Sequence, residues 1–151
     1  MTSHPNTTIP PTPPTVPMNT IKIFTLNING ITARTTVRML ADFLRQHDFH
    51  KTFFQEMTST EVSNVRGYNT HLNIGDFISV TAILARSMLH LTNITSLPSG
   101  RAIAADYKGI RDININAPSG TARRADREQF YTIELPYLFH YGPTDLLIGV
   151  I

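Results

Sequence analysis

The sequence predicts an α/β fold, and three observations carry that expectation. A short apolar run, Ile21–Leu26, passes through Thr25-Leu26-Asn27-Ile28-Asn29-Gly30 into a segment of helical period, and a second strand-like run, Lys51–Gln55, follows it. Strand, helix and strand in that order form a βαβ unit, which implies parallel neighbours and a right-handed crossover. The rest of the chain is dominated by short strand-like runs, two of which flank Lys108-Gly109, a good two-residue hairpin turn.

Each element has its own warrant. In Thr35–His47, Val37, Leu40, Ala41 and Leu44 fall at i, i+3, i+4 and i+7, while Arg34, Arg38 and Arg45 lie off that stripe. This is an amphipathic helix whose Arg face reads as solvated surface. Glu61–Arg66 suggests one short helical turn, Tyr68–Leu72 a short strand, and Phe77–Arg86 a longer strand around Thr81-Ala82-Ile83-Leu84. Gly100–Tyr107 and Ile110–Ala117 form the hairpin, which Ala117-Pro118-Ser119-Gly120 ends. Ala122–Glu134 is a second helix, with Phe130, Ile133, Tyr137 and Leu138 in helical period. Pro136 inside a helix costs about 3 kcal/mol, so a break is expected there. Asp145–Ile151 is a strand that runs to the last residue, so the domain reads as cut.

Composition sets the limits. Of 151 residues, 1–19 hold six of the ten prolines and cannot build a core. That head is expected to be disordered, with three PxxP spacings that read as linker. Residues 20–151, roughly 130 of them, suffice for one domain with a modest core. Hydrophobic content is 41%, which is ordinary for a globular chain. No apolar run is long enough for a membrane span, and the first residues lack the apolar centre of a secretory signal. An intracellular place, nuclear or cytoplasmic, is expected. Cysteine is absent, which removes disulfide partners, thiolate metal sites and thiol catalysis. The net charge is +2 and ten of thirteen basic residues are Arg, compatible with nucleic acid without requiring it.

Two strand ends draw attention. Asn27 and Glu56 close the first two strands, and the carboxyl edge of such strands is where open α/β folds bind ligands. Asn29 reads as a turn residue before Gly30. The six histidines show no ligand spacing and no paired acids, so they read as surface or core residues. Arg123, Arg124 and Arg127 begin the second helix, where a phosphate can bind, although Asp126 and Glu128 partly neutralise them.

The order of motifs resembles the endonuclease/exonuclease/phosphatase superfamily, and within it the endonuclease domain of non-LTR (LINE-type) retrotransposons. The resemblance rests on Leu26-Asn27-Ile28-Asn29-Gly30, Gln55-Glu56, Thr81-Ala82-Ile83-Leu84, Asn114-Ile115-Asn116-Ala117-Pro118 and Leu147-Ile148-Gly149. It covers about residues 20–149 and corresponds to the front part of the family domain. It implies a two-sheet α/β sandwich of the DNase I-like type, with metal-assisted phosphodiester hydrolysis in the cleft at one end. Glu56 would then hold Mg²⁺, a hard cation suited to a carboxylate. Asn27 would orient the phosphate or the Glu56 carboxylate, and DNA would be the substrate.

Three departures from the family pattern imply little or no activity. Asn116 stands where the family carries a Tyr near the scissile phosphate, and an amide lacks the reach and acidity of a phenol. The family's Gly-Asp-Phe-Asn motif and its Asp–His base are absent, and each lost contribution is expected to reduce the rate on the order of 10²-fold or more. Asp76–Val80 replaces a Gly-rich turn, and Asp112 sits in the middle of an apolar strand, where an unpaired carboxylate is costly. Both read as drift in a decaying element. Two readings stand beside the enzyme. One is a non-catalytic module that holds DNA or a protein through its Arg residues and Pro-rich head. The other is a chain with no cellular role, whose open sheet edge invites aggregation.

Overall fold

The computed structural model describes residues 20–28, 34–57, 65–74, 80–139 and 145–150. The Pro-rich head, Asn29-Gly30, the turn expected after Glu61, Asp76–Ser79, His4 and His140 lie outside them. Among the described residues two four-stranded sheets face each other. The first has β1 (Ile23–Asn27), β2 (Lys51–Met57), β4 (Val80–Arg86) and β3 (Tyr68–Ile74), in that spatial order. The second has β5 (Thr92–Ser96), β6 (Ala102–Tyr107), β7 (Ile110–Ile115) and β8 (Asp145–Val150). Helix α1 (Arg34–His47) covers the outer face of the first sheet, and a helical run from Thr121 to Phe139 covers the second. The result is the expected α/β sandwich with two sheets.

The βαβ unit forms as its sequence predicts. β1 and β2 pair in parallel, Ile23 opposite Lys51 and Asn27 opposite Gln55. Leu40 and Leu44 of the α1 stripe are buried against Phe54, Ala82 and Leu84, while Arg38 and Arg45 are exposed. The C-terminal end of α1 is tied down by cations and a phenol. Lys22 Nζ donates to the His47 carbonyl at 2.7 Å, which suits a helix C-terminus. The Tyr68 hydroxyl donates to the Phe49 carbonyl at 2.7 Å and reaches the Leu44 carbonyl at 3.3 Å. Burial raises the Tyr68 pKa, which keeps that donor protonated.

In the hairpin, Lys108 and Gly109 have φ of 48° and 78°. Two successive positive φ values match the twist of the flanking strands. β5 is an element the apolar pattern does not reveal, because Thr92-Asn93-Ile94-Thr95-Ser96 is a mostly exposed edge strand with an irregular register. The expected second helix also differs. A 3₁₀ turn (Thr121–Arg123) leads into α2 (Arg124–Gln129), then a π segment (Phe130–Glu134) and a 3₁₀ segment (Leu135–Phe139). Pro136 does not break the run as expected. The N–H of Leu135 bonds five residues back, to the Phe130 carbonyl, and this wider turn changes the helical register just before the residue that lacks a donor. Buried Arg111 holds the far end, donating from Nε to the Leu138 carbonyl at 2.6 Å and from Nη1 to Asp106 at 2.7 Å.

Between the sheets the packing is part apolar and part ionic. Phe53, Ile83, Ile103 and Ala105 form the apolar part, with Ala85, Leu89 and Tyr107 beside them. Asp112 lies in this layer, fully buried, and it is not the lone mid-strand acid that the sequence suggests. Lys51 Nζ, 2% exposed, donates to Asp112 Oδ2 at 2.6 Å and stands 4.8 Å from the centre of the Tyr107 ring. The reading of Asp112 as drift is corrected: it is half of a buried pair that joins β2 to β7.

Removing one partner of such a pair leaves a buried charge alone, which costs about 3–5 kcal/mol, whereas replacing both with apolar groups is often neutral. Lys51→Met is therefore expected to lower stability in urea denaturation by about 3–5 kcal/mol, and Lys51→Met with Asp112→Leu to recover most of that loss.

The Asp112 pair also sets a pH dependence. Burial raises the Asp112 pKa above the usual carboxylate value, outweighing the hydrogen bond and attraction of Lys51, while Asp106 pushes it further up. The folded state then holds this proton more tightly than the unfolded chain. Asp112 contributes stability that is present below its unfolded pKa and lost as pH rises through the raised folded value. Melting of Asp112→Asn should lack that component, so the variant's stability relative to wild type should improve as pH rises across this range.

Candidate active site at the strand ends

The site is built on strand direction. β1 and β2 are parallel neighbours in one sheet, and β7 and β8 are parallel neighbours in the other. Two side-chain links show that β2 and β7 also run the same way across the sandwich. Lys51 meets Asp112, and four residues further along β2, Gln55 Nε2 donates to Asn114 Oδ1 at 2.6 Å. The C-terminal ends of β1, β2 and β7 therefore converge on one edge. That edge carries Asn27, Glu56 and Asn116, the three residues that the sequence nominates.

Glu56 does not simply follow β2. It lies within the strand, at the irregularity between Phe54 and Met57 where the pairing with β4 slips. Its φ is 55°, in the left-handed region that a glutamate seldom adopts. Bulges of this kind re-aim a side chain at a strand end and recur beside functional sites. Its neighbours are anchored on both sides: Gln55 is fully buried, and the Ile28 N–H donates to the Gln55 carbonyl at 2.9 Å. Asn27 is half-buried at the matching place on β1.

Of the residues that hold this geometry, Gln55, Thr81 and Asn114 stand in the sequence motifs without an assigned role, and Asn73 is in none of them. Asn114 reaches across from β7, and its Nδ2 donates to the Phe54 carbonyl at 2.9 Å and the Ala82 carbonyl at 2.8 Å. Phe54 and Ala82 are the last regular pair of β2 and β4 before the register slips, so one amide from the opposite sheet braces the strand pair where the bulge that carries Glu56 begins. Gln55 Nε2 also donates to Thr25 Oγ1 on β1 at 3.1 Å. On the other flank, Asn73 Nδ2 donates to the Leu97 and Ala102 carbonyls at 3.0 and 2.7 Å, and Thr81 Oγ1 to the Gly100 carbonyl at 3.0 Å. The available signal was the run of Asn, Gln and Thr at strand positions that should be apolar.

Asn116 is buried just beyond β7. Its N–H donates to the Arg101 carbonyl at 2.7 Å, and Arg101 Nη1 donates to the Asn116 carbonyl at 3.4 Å. Burial lowers the Arg101 pKa first and Arg123 lowers it further, while Asp126 and Glu134 oppose the shift. Arg123 and Arg124 are exposed at the start of the helical run, and Arg124 Nε pairs with Glu128 at 3.1 Å. Arg127 donates to the Gly120 carbonyl.

The donor set bears on Mg²⁺. Among the described residues no three acids or histidines cluster as metal ligands. Glu56 is the only described carboxylate carried by these strand ends. One carboxylate with neutral amides still suits Mg²⁺, which keeps several waters and shares its coordination with substrate phosphates. The residues fit a sparsely held ion and do not form a complete protein cage.

The architecture matches solved structures across most of the chain. The AP endonuclease LMAP from Leishmania major superposes with a TM-score of 0.69 at 15% identity, covering 86% of this chain and 54% of that one. The 3′–5′ exonuclease NExo from Neisseria meningitidis gives 0.65 at 18%, covering 86% and 57%. A humanized D. rerio TDP2 gives 0.64 at 14%, covering 86% and 60%. The chain thus spans a little over half the length of these proteins. It has the endonuclease/exonuclease/phosphatase, DNase I-like fold, as the motifs imply. No family profile and no curated protein matches the sequence. No helix among the described residues is long and apolar enough to cross a membrane.

Asn114→Leu keeps the branched skeleton and deletes the amide, leaving buried polar partners without it at about 1–3 kcal/mol each. The expected outcome is a destabilised protein whose amide exchange rises first at Phe54–Met57, read by hydrogen exchange. Unchanged protection there would show that the bulge stands without Asn114.

Proposed function

We propose that the chain is the front part of a retrotransposon-type endonuclease domain whose ancestral reaction is Mg²⁺-dependent nicking of DNA, and that it retains the site in a catalytically weak form. The observation that carries this reading is Glu56, held at a bulge with left-handed backbone geometry at the carboxyl edge of two parallel strands, beside Asn27. A Mg²⁺ ion at Glu56 would supply charge stabilisation for a phosphate and its leaving oxygen. Asn27 would orient that phosphate or the carboxylate through its amide. Asn116 offers a hydrogen bond at the third strand end, though its burial and tie to Arg101 limit its reach. No described strand end supplies a general base, so little or no turnover is expected.

A second reading, a non-catalytic DNA-binding module, draws on exposed Arg123 and Arg124 at the same edge as Asn116. Both readings meet one set of measurements. Millimolar Mg²⁺ should raise the melting temperature of wild type but not of Glu56→Ala, because binding to the native state alone stabilises it. Nicking of supercoiled DNA should be near background. Robust Mg²⁺-dependent nicking that vanishes in Glu56→Ala would overturn the claim of weak activity, and absence of any Mg²⁺ shift would remove the metal site. DNA affinity should fall with salt, and Arg123→Ser with Arg124→Ser should flatten the log–log salt slope by about 1.5. An unchanged slope would take these two residues out of the contact.

A further inference from the structure

Beside Asn116 the described residues enclose a half-open cavity of about 180 Å³, lined by Ser99, Arg101, Pro118, Asp126, Gln129 and Glu134. Its position follows from the fold. Arg101 opens the approach to β6 and is bonded to Asn116 in both directions. Pro118 lies two residues beyond Asn116, and the other three side chains belong to the helical run that covers the second sheet. The pocket therefore adjoins the strand-end site without sharing Glu56 or Asn27.

The chemistry of the lining is mixed. One guanidinium donates, two carboxylates accept, and an amide and a hydroxyl can do either. A phosphate would meet Asp126 and Glu134 as well as Arg101, so the lining disfavours a simple anion. A bare cation would meet Arg101. The cavity is also smaller than the roughly 300–1,000 Å³ of sites that hold drug-sized molecules. It suits one planar heterocycle that presents acceptors on one edge and donors on the adjacent edge. Guanine does this: Arg is the common partner of its O6 and N7, and its N1–H and N2 amino group are donors for carboxylates.

We infer that this pocket takes one unpaired guanine base next to the strand-end site. The inference rests on the proposed reading of that site for its substrate, DNA, but the pocket's own chemistry is independent of the metal and of turnover. The base must be single-stranded or extruded, because pairing occupies the N1–H and N2 donors of a guanine and stacking keeps it out of a pocket. Asp126 and Glu134 are the residues that discriminate, since adenine lacks the N1–H and hypoxanthine lacks the N2 amino group.

The test uses the full chain and two probes. Fluorescence anisotropy compares a short oligothymidylate with the same strand carrying one central guanine, adenine or hypoxanthine. Guanine should tighten binding about tenfold over thymine and adenine, with hypoxanthine in between, as one well-matched base contact allows. Asp126→Asn with Glu134→Gln should abolish the preference and leave the affinity for plain oligothymidylate equal or higher, because negative charge has been removed. An NMR titration compares GMP with AMP, with shifts expected at Ser99–Arg101 and Asp126–Glu134 for GMP alone. If strands bind without base preference and GMP shifts nothing there, the pocket assignment is overturned while DNA binding stands. If GMP binds at these residues and no strand binds at low salt, the base pocket stands and the DNA reading fails. If neither probe binds, both fall.

Discussion

The two sheets are held together by side chains that bond across the layer between them, and much else in the structure depends on this. A sandwich normally closes on interdigitated apolar residues. Here the apolar part, Phe53, Ile83, Ile103 and Ala105, occupies the middle of the interface. On one flank lies the Lys51–Asp112 pair, and on the other lie Gln55–Asn114 and the contacts of Asn73 and Thr81. Directional bonds fix what apolar contacts alone leave adjustable. Lys51 and Gln55 are four residues apart on β2, and their partners Asp112 and Asn114 are two apart on β7, so the links also set how the strands cross. A slip of one residue in either strand would turn every one of these groups to the wrong face.

This arrangement explains how an awkward backbone is tolerated at the strand ends. A left-handed glutamate at a bulge is strained and persists only where its surroundings over-determine it. Around Glu56 they do. Gln55 is bonded by side chain to β1 and β7, its carbonyl accepts from Ile28, and Asn114 spans the carbonyls of β2 and β4 at the last regular pair before the slip. The supporting groups are neutral amides and hydroxyls, so the site is braced without adding a charge that would compete with Glu56 for a cation.

How much of this was legible in the sequence depended on distance along the chain and on apolar contrast. The βαβ unit was readable because Ile21–Leu26 and the Leu40/Leu44 stripe carry strong local periodicity, and the hairpin because Lys108-Gly109 is a local signal. Asn27 and Glu56 were readable as strand-end residues and Asn116 only through the family resemblance, and the structure brings all three to one edge. β5 was not, because an exposed polar edge strand has no apolar alternation. The path past Pro136 was not, because the π turn that accommodates it is stabilised by Phe130, Leu135 and Leu138 packing on the second sheet. Asp112 was visible only as an anomaly. Its partner is 61 residues away, and nothing in local pattern links a lysine that opens one strand to an aspartate in the middle of another.

The placement of charge in the inter-sheet layer has a further consequence. The buried ion pair sits at the Lys51 end of β2, away from the strand-end site, and the amides sit at the Glu56 end. Had the order been reversed, a buried ammonium beside Glu56 would attract its carboxylate and oppose a metal ion there. Placing Lys51 five residues back, paired with Asp112 and facing the Tyr107 ring, neutralises that charge before the site begins. The cationic groups that do approach the edge, Arg101 and Arg123, come from the second sheet and its helical cover, where Asp126 and Glu134 act on Arg101 with the opposite charge. The interface thus divides into an end that holds the sheets together and an end that can face a polar ligand, with Phe53 and Ile83 between them as apolar insulation.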